Sequence, residues 1–328
     1  MRRPSFRALL PSVIFALAVL TSPFARAETK LIAIANFGPN PALSDLIAGF
    51  KAGLAANGFV EGKDVTYDER NVNFDRSLVP QMLNVMAAAN PALMLTITTP
   101  LTQSARQVLQ GRSFPIVFAP VTDPVTAKIL PSWDRGDHLI TGASNMPDWP
   151  GSYVFIKKLL PNATRLGVLY NPGDDSDNSI VKAMEDSIGS SGFELIKIGV
   201  DNVNDVPPRV QAFAGRADVV YIPASSLLQP AAPAIASAAN RISLPIINAS
   251  PGPVEQHLML ATYSVSWKGV GIDAGGLAAK ILKGADPATL APTRPRAADH
   301  IMMISGQRLK ALGMTLPDAL SDCKCVVE

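Results

Sequence analysis

The sequence predicts an α/β protein of two Rossmann-like lobes, each a parallel sheet flanked by helices, and three observations carry that expectation. Over residues 31–118, strand-length apolar runs alternate with amphipathic helical ones; a second series of the same kind covers residues 153–304; a proline- and glycine-rich stretch, residues 131–150, separates the two. Alternating strands and helices bury their apolar faces most simply as a parallel sheet covered on both sides. A chain of 328 residues with 48% hydrophobic composition more often forms two such bodies than one.

Residues 31–35 form an apolar run, followed by the turn-rich Phe37-Gly38-Pro39-Asn40-Pro41 and by Leu43, Leu46, Ile47, Phe50 and Leu54 at helical spacing. Gly58 and Gly62 close that helix, and residues 65–71 alternate as a second strand. A helix over 78–89, a strand over 93–97, a helix over 101–109 and a strand over 116–118 complete the first series. The second holds a helix over 153–160, a strand over 165–170, a helix over 179–191 and strands over 194–200 and 219–223. It continues through residues 244–248 and 259–264, a helix ending at Leu282, and a short strand over 301–304.

The first 27 residues carry Arg2, Arg3 and Arg7, an apolar run over 13–20, and Ala25-Arg26-Ala27 ahead of Glu28. That is the pattern of a secretory leader, with cleavage after Ala27 and export to the periplasm. The run falls well short of the ~20 residues that span a bilayer, so no direct membrane insertion is expected. Arg2-Arg3 suits twin-arginine export and an ordinary leader equally. No cysteine stands near the cleavage point, which argues against lipid attachment there. The leader's four arginines face no acid, and removing them from the 29 Lys+Arg leaves 25 against 27 Asp+Glu, a net charge near −2. A weakly acidic body with scattered lysines offers no basic stripe, so no nucleic-acid partner is expected. Cys323 and Cys325 fit a small disulfide, two free thiols or an intermolecular link.

In open parallel sheets, ligands sit beyond the carboxyl ends of the strands, where loops and helix N-termini converge. Several such ends here carry small polar residues: residues 37–40, Thr98-Thr99, Thr122-Asp123, Asn145, Asn171, Ser225-Ser226, Asn248 and Ser250. Each alone is an ordinary turn or cap. Their recurrence in both halves points to a binding cleft.

The segments Gly58-Phe59-Val60-Glu61-Gly62-Lys63-Asp64-Val65, Phe118-Ala119-Pro120-Val121-Thr122-Asp123-Pro124, Leu169-Tyr170-Asn171 and Ala261-Thr262-Tyr263 resemble the substrate-binding proteins of ABC importers in the tryptophan- and phenylalanine-binding family. The resemblance runs in order along the chain beyond the leader. It implies a type I periplasmic binding fold whose two lobes are joined by a hinge that the chain crosses three times. It places residues 28–140 plus about 259–285 in the first lobe, 141–258 plus about 286–328 in the second, and the third crossing near 284–295. Carried over, Phe37 forms an apolar wall beside Asn40; Thr98, Thr99 and Gln103 meet the ligand from the first lobe; Thr122 and Asp123 stand at the hinge. Asn145, Asn171, Asn178 and Ser179 face them; Ser225, Asn248 and Ser250 join the ligand-binding set as polar residues at strand ends. The implied partners are a small-molecule ligand and an ABC permease in the inner membrane, the protein itself being a monomer.

The chain departs from those relatives where they usually carry acids, after Gly142, Pro223 and Asn248: here stand Ala143-Ser144-Asn145, Ala224-Ser225-Ser226 and Ala249-Ser250. A buried ammonium group needs a carboxylate, since an unpaired buried charge costs several kcal/mol. Asp123 remains the candidate for that role, and a neutral or anionic ligand is expected over a free amino acid. Phe37, Tyr263 and Trp267 suit ligand contact or core packing.

Other chemistries lack their parts. His138, His257 and His300 show no metal-ligand spacing, and no Gly-x-Ser-x-Gly elbow occurs. Gly58 to Lys63 falls one residue short of a phosphate loop, with Asp64 in place of its Ser or Thr. Gly269-Val270-Gly271-Ile272-Asp273-Ala274 matches a loose dinucleotide fingerprint but sits among apolar residues at helical spacing, which favours close helix packing. No cofactor, metal or catalytic residue is therefore expected. Two other readings stay open: a periplasmic subunit presenting its ligand to a membrane sensor, and a secreted α/β enzyme using Asp123.

Overall fold

The structure, a computed structural model, describes Met1 and residues 29–328. The expected leader and its cleavage point, Met1 apart, lie outside the described residues. The first lobe runs through β1 (Lys30–Asn36), α1 (Pro41–Ala56), β2 (Val65–Asn71), α2 (Val79–Ala88), β3 (Leu93–Thr96), α3 (Thr99–Val108), β4 (Ile116–Val121) and β5 (Ile140–Ser144). These strands pair in parallel in the order β2-β1-β3-β4-β5. β3 and β4 are buried at every position, which is why they read as continuous apolar runs and not as alternating ones.

The second lobe comprises α4 (Trp149–Leu159), β6 (Arg165–Tyr170), α5 (Asp175–Ser187), β7 (Glu194–Gly199), α6 (Val206–Gln211), β8 (Val219–Ile222), α7 (Ala232–Asn240), β9 (Ile246–Asn248), α8 (Gly252–Glu255) and β10 (Ala261–Val265). The chain then returns to the first lobe as α9 (Trp267–Leu282) before ending in β11 (His300–Ser305), α10 (Gly306–Ala311) and β12 (Val326–Val327). The second sheet has the order β12-β11-β10-β9-β8-β6-β7, parallel but for the β10–β11 pair.

Three passages join the lobes: residues 145–148, Ser266, and residues 294–299. The third begins later than the expected 284–295, because residues 290–293 still hold the edge of β5. There Thr141 Oγ1 donates to the Leu290 carbonyl, and Ser144 N–H to that of Thr293. The expected segment 259–285 is displaced at both ends, since residues 286–293 also stay with the first lobe. Strand β10 pairs with β9 and β11 in the second sheet, and packing on the first lobe begins with the helix after it. β5 is a second departure, lying inside the stretch expected to be a connection. Its Gly142 is where the neighbouring strand allows no side chain, since a Cβ there would stand 2.2 Å from the Phe118 carbonyl oxygen.

Helices α1 and α9 meet backbone to backbone through four glycines. A Cβ on Gly49 would lie 2.1 Å from the Lys268 carbonyl oxygen, on Gly53 2.5 Å from that of Ile272, on Gly271 2.0 Å from that of Leu46, and on Gly275 2.4 Å from that of Phe50. The Gly269–Gly271 pattern thus serves helix packing. Gly58 and Gly62, at φ +93° and +78°, form the turn from α1 into β2, where only glycine adopts that backbone freely. Cys323 and Cys325 are joined by a disulfide. Among the described residues no helix is long and apolar enough to cross a membrane.

Gly271→Ala is expected to destabilise the protein by about 1–3 kcal/mol through overpacking against α1. Gly276→Ala in the same helix, where a Cβ meets nothing within 4 Å, is expected to stabilise by about 0.5–1 kcal/mol. Urea unfolding of the two variants checks the contrast.

Candidate functional site

The carboxyl ends of the two sheets face one another across a cleft. From the first lobe its wall takes Phe37, Asn40 and Leu43 around the start of α1, then Phe74, and then Thr98, Thr99 and Pro100 at the start of α3. Pro120 lies near the end of β4 and Thr122 follows it, Asn145 stands in the first crossing, and Trp267 opens α9. The second lobe supplies Ser176, Ala224, Ser225, Ser226, Gln229, Pro230 and Ser250. Asn40 reaches the wall because it caps α1, its Oδ1 accepting from Ala42 N–H at 2.9 Å, with Pro41 fixing the first turn. Phe37 and Phe74 pack edge to face at 5.9 Å.

The lobes touch directly at the rim. Gln103 Nε2 donates to Asp175 Oδ2 at 2.7 Å, while Thr122 Oγ1 meets Ser176 Oγ at 2.5 Å and donates to Asn145 Oδ1 at 3.3 Å. The cavity left between them is about 40 Å³. With hydrogen bonds running directly from one lobe to the other, the structure is the closed form.

Of the residues singled out from sequence, Phe37, Asn40, Thr98, Thr99, Thr122, Asn145, Ser225, Ser226, Ser250 and Trp267 stand on this wall. The others do not. Gln103 bridges the rim. Asp123 accepts from Val125 and Thr126 N–H at 2.9 and 3.0 Å, so its carboxylate is occupied by its own turn. Asn171 Oδ1 accepts from Gly173 N–H, Asn178 donates to the Pro172 carbonyl, and Ser179 Oγ donates to the Asp175 carbonyl. Asn248 lies beneath the wall, bonded to Gln229 and to the Ser250 carbonyl.

Ser176, not Asn178 or Ser179, faces the first lobe, because α5 starts earlier than its apolar spacing suggests. Asp174 accepts from Ser176 N–H at 2.9 Å as the cap, a position that the Gly173-Asp174-Asp175 sequence signals. Tyr263 points elsewhere, stacked between Phe155 and His300, with its hydroxyl 3.3 Å from Asp148 Oδ2. His300 ties two crossings together: Nε2 accepts from Asp148 N–H at 2.9 Å, and Nδ1–H donates to the Arg296 carbonyl at 3.0 Å.

Two polar atoms on the wall, Thr98 Oγ1 and Trp267 Nε1, are buried without a protein partner. Thr98 also holds φ +83°, a conformation that costs a β-branched residue strain and recurs at ligand sites. Behind the wall lies an acidic pair. Asp177 is fully buried, its Oδ2 accepting from Asn171 N–H at 2.7 Å. Burial, reinforced by the charge of Asp174, pushes its carboxyl up from 3.8 to about 8 despite that bond. Asp174 is raised for the same first reason, burial. Among the described residues no group of three or more His, Cys, Asp or Glu is placed to hold a metal ion.

Comparison with known proteins follows this geometry. The family model described as ABC transporter substrate binding protein matches residues 31–325. A tyrosine-binding protein of Clostridioides difficile is 26% identical over 287 residues, 88% of this chain and 82% of that protein. Among solved structures, an ABC domain in complex with L-Trp from Streptococcus pneumoniae is 24% identical, with a TM-score of 0.82 over 91% of this chain and 100% of that one. A ligand-free, open substrate binding protein from Clostridium difficile is 26% identical, with a TM-score of 0.71 over 92% of this chain and 99% of that one.

The Asp177 proton carries a pH dependence of stability. Between about 4 and about 8 the folded chain keeps a proton that the unfolded chain has lost, so its stabilising contribution is complete below pH 4 and is lost as pH rises through 8. Asp177→Asn is expected to flatten the melting temperature across that window and to exceed the parent's at pH 8. Melting curves at stepped pH measure this.

Proposed function

The chain belongs to the family of ABC transporter substrate-binding proteins, and from that premise we propose that it is the periplasmic binding component of an importer. It captures a small molecule between its lobes and presents the closed form to a permease in the inner membrane. The single observation that carries the reading is the closed cleft itself: two sheet edges that converge on one cavity, joined by three passages and latched by Gln103–Asp175 and Thr122–Ser176.

Hinge closure is the chemistry this arrangement performs. Rotation about the three passages removes the guest from water and exchanges its hydration for hydroxyls, amides and backbone groups. Each such bond contributes only about 1 kcal/mol, so affinity comes from several made together with apolar contact from Phe37, Leu43, Phe74 and Trp267. The relatives named for tyrosine and solved with L-Trp support a guest of that size with a flat apolar body. Among the described residues no nucleophile and base, and no pair of free carboxylates, face one another across the cavity, which favours binding without turnover. On this reading residues 29–144 and 267–293 move as one body, and residues 149–265 and 300–328 as the other.

Native mass spectrometry of protein purified without refolding is expected to detect one co-purified small molecule, lost on denaturation. Gln103→Ala and Ser176→Ala are each expected to speed its release by roughly two- to tenfold while leaving association nearly unchanged. Chemical conversion of the released compound by the protein would contradict the reading.

A further inference from the structure

Trp267 is more than nine-tenths buried, and its ring stands on the cleft wall with the indole N–H unpartnered. An indole nitrogen only donates, so whatever satisfies it must be an acceptor. Thr98, another residue of the wall, has its Oγ1 in the same state. Helices α1 and α3, of 16 and 10 residues, begin at this wall, which turns the positive end of each helix dipole toward it.

No charged side chain lines the cavity among the described residues. Of the acids nearest to it, Asp175 accepts from Gln103, Asp174 from Ser176 N–H, Asp123 from its own turn and Asp177, through Oδ2, from Asn171 N–H, while Asp177 Oδ1 is buried behind the wall without a partner. An ammonium group drawn into the closed cleft would meet neutral hydroxyls, amides and apolar carbon, with no carboxylate on the wall to pair it. That arrangement rejects a cation strongly, because a buried unpaired charge recovers none of its lost hydration.

We infer that the cleft selects a small aromatic compound bearing a carboxylate or neutral carbonyl acceptor and no ammonium group, with Trp267 Nε1–H and Thr98 Oγ1–H as donors to that acceptor. This rests on the cleft being the transport-ligand site. It separates this chain from the relatives named for tyrosine and solved with L-Trp, ligands that carry both charges.

Calorimetric titration of the full chain, stripped of co-purified ligand, with matched probes tests the inference. The probes are L-tryptophan, indole-3-propionate and its amide, and L-phenylalanine, 3-phenylpropionate and its amide. At least one acid or amide is expected to bind ten or more times tighter than its amino acid; a tighter acid assigns the acceptor as carboxylate, a tighter amide as neutral carbonyl. Trp267→Phe, which keeps the ring and removes the donor, is expected to weaken that probe about tenfold. Ala224→Asp, restoring a carboxylate to the wall, is expected to reverse the preference. Equal or tighter binding of an amino acid overturns the inference and leaves the binding-protein reading intact. Failure of every probe overturns it too, and the co-purified mass then judges the binding reading by itself.

Discussion

Parallel pairing is the constraint on which the rest of the molecule depends. Strands that all run one way end at the same edge, so every loop that follows a strand is delivered to one line of space. In the first lobe those loops bring Phe37 and Asn40 from β1, Thr98 and Thr99 from β3, and Thr122 from β4. In the second they bring Ser176, Ser225 and Ser250 from β6, β8 and β9. Because the chain passes between the lobes beside these edges, the two lines face each other. The antiparallel strand β11 is the topological cost of the third passage: the chain re-enters the second sheet from the opposite direction.

The same geometry explains why rigidity and motion are segregated. Helix α9 is fastened to α1 by glycine contacts too close for any Cβ, so this returning helix moves with the first lobe as one body. Trp267, its first residue, therefore carries the wall of one lobe to within one residue of the second passage at Ser266. Closure across the cleft rests on few polar contacts, which suits a form that must reopen. Beneath the wall, burial holds Asp177 protonated below about pH 8, so this acid stays neutral behind a surface that is itself uncharged.

Much of this was legible in the chain. The order of strands and helices in the first lobe followed from apolar periodicity, and the loops after β1, β3, β4 and β8 announced themselves by small polar residues. What escaped has physical reasons. β5 is five residues long and centred on Gly142, whose missing side chain answers to Phe118 on a neighbouring strand, a tertiary fact with no local signature. Helices α6 and α7 went unrecognised, the former because Pro207 and Pro208 at its first turn resemble a linker. Ser176 was missed in favour of Asn178 and Ser179 because apolar spacing locates the middle of a helix and only the cap at Asp174 locates its start. Asp123 looked available as a free acid because the two amides that bind it are contributed by its own turn. The membership in a family of binding proteins, by contrast, was carried by short segments spread along the chain.

The claim at the centre of this account is that the two bodies shut on a guest. Spin labels at Gln107→Cys on α3 and Lys182→Cys on α5, both exposed positions flanking the rim, report the separation of the lobes directly. A single short distance in the ligand-loaded protein, giving way to a longer and broader distribution once the ligand is stripped, is the predicted result. The same distance in both preparations would contradict hinge closure.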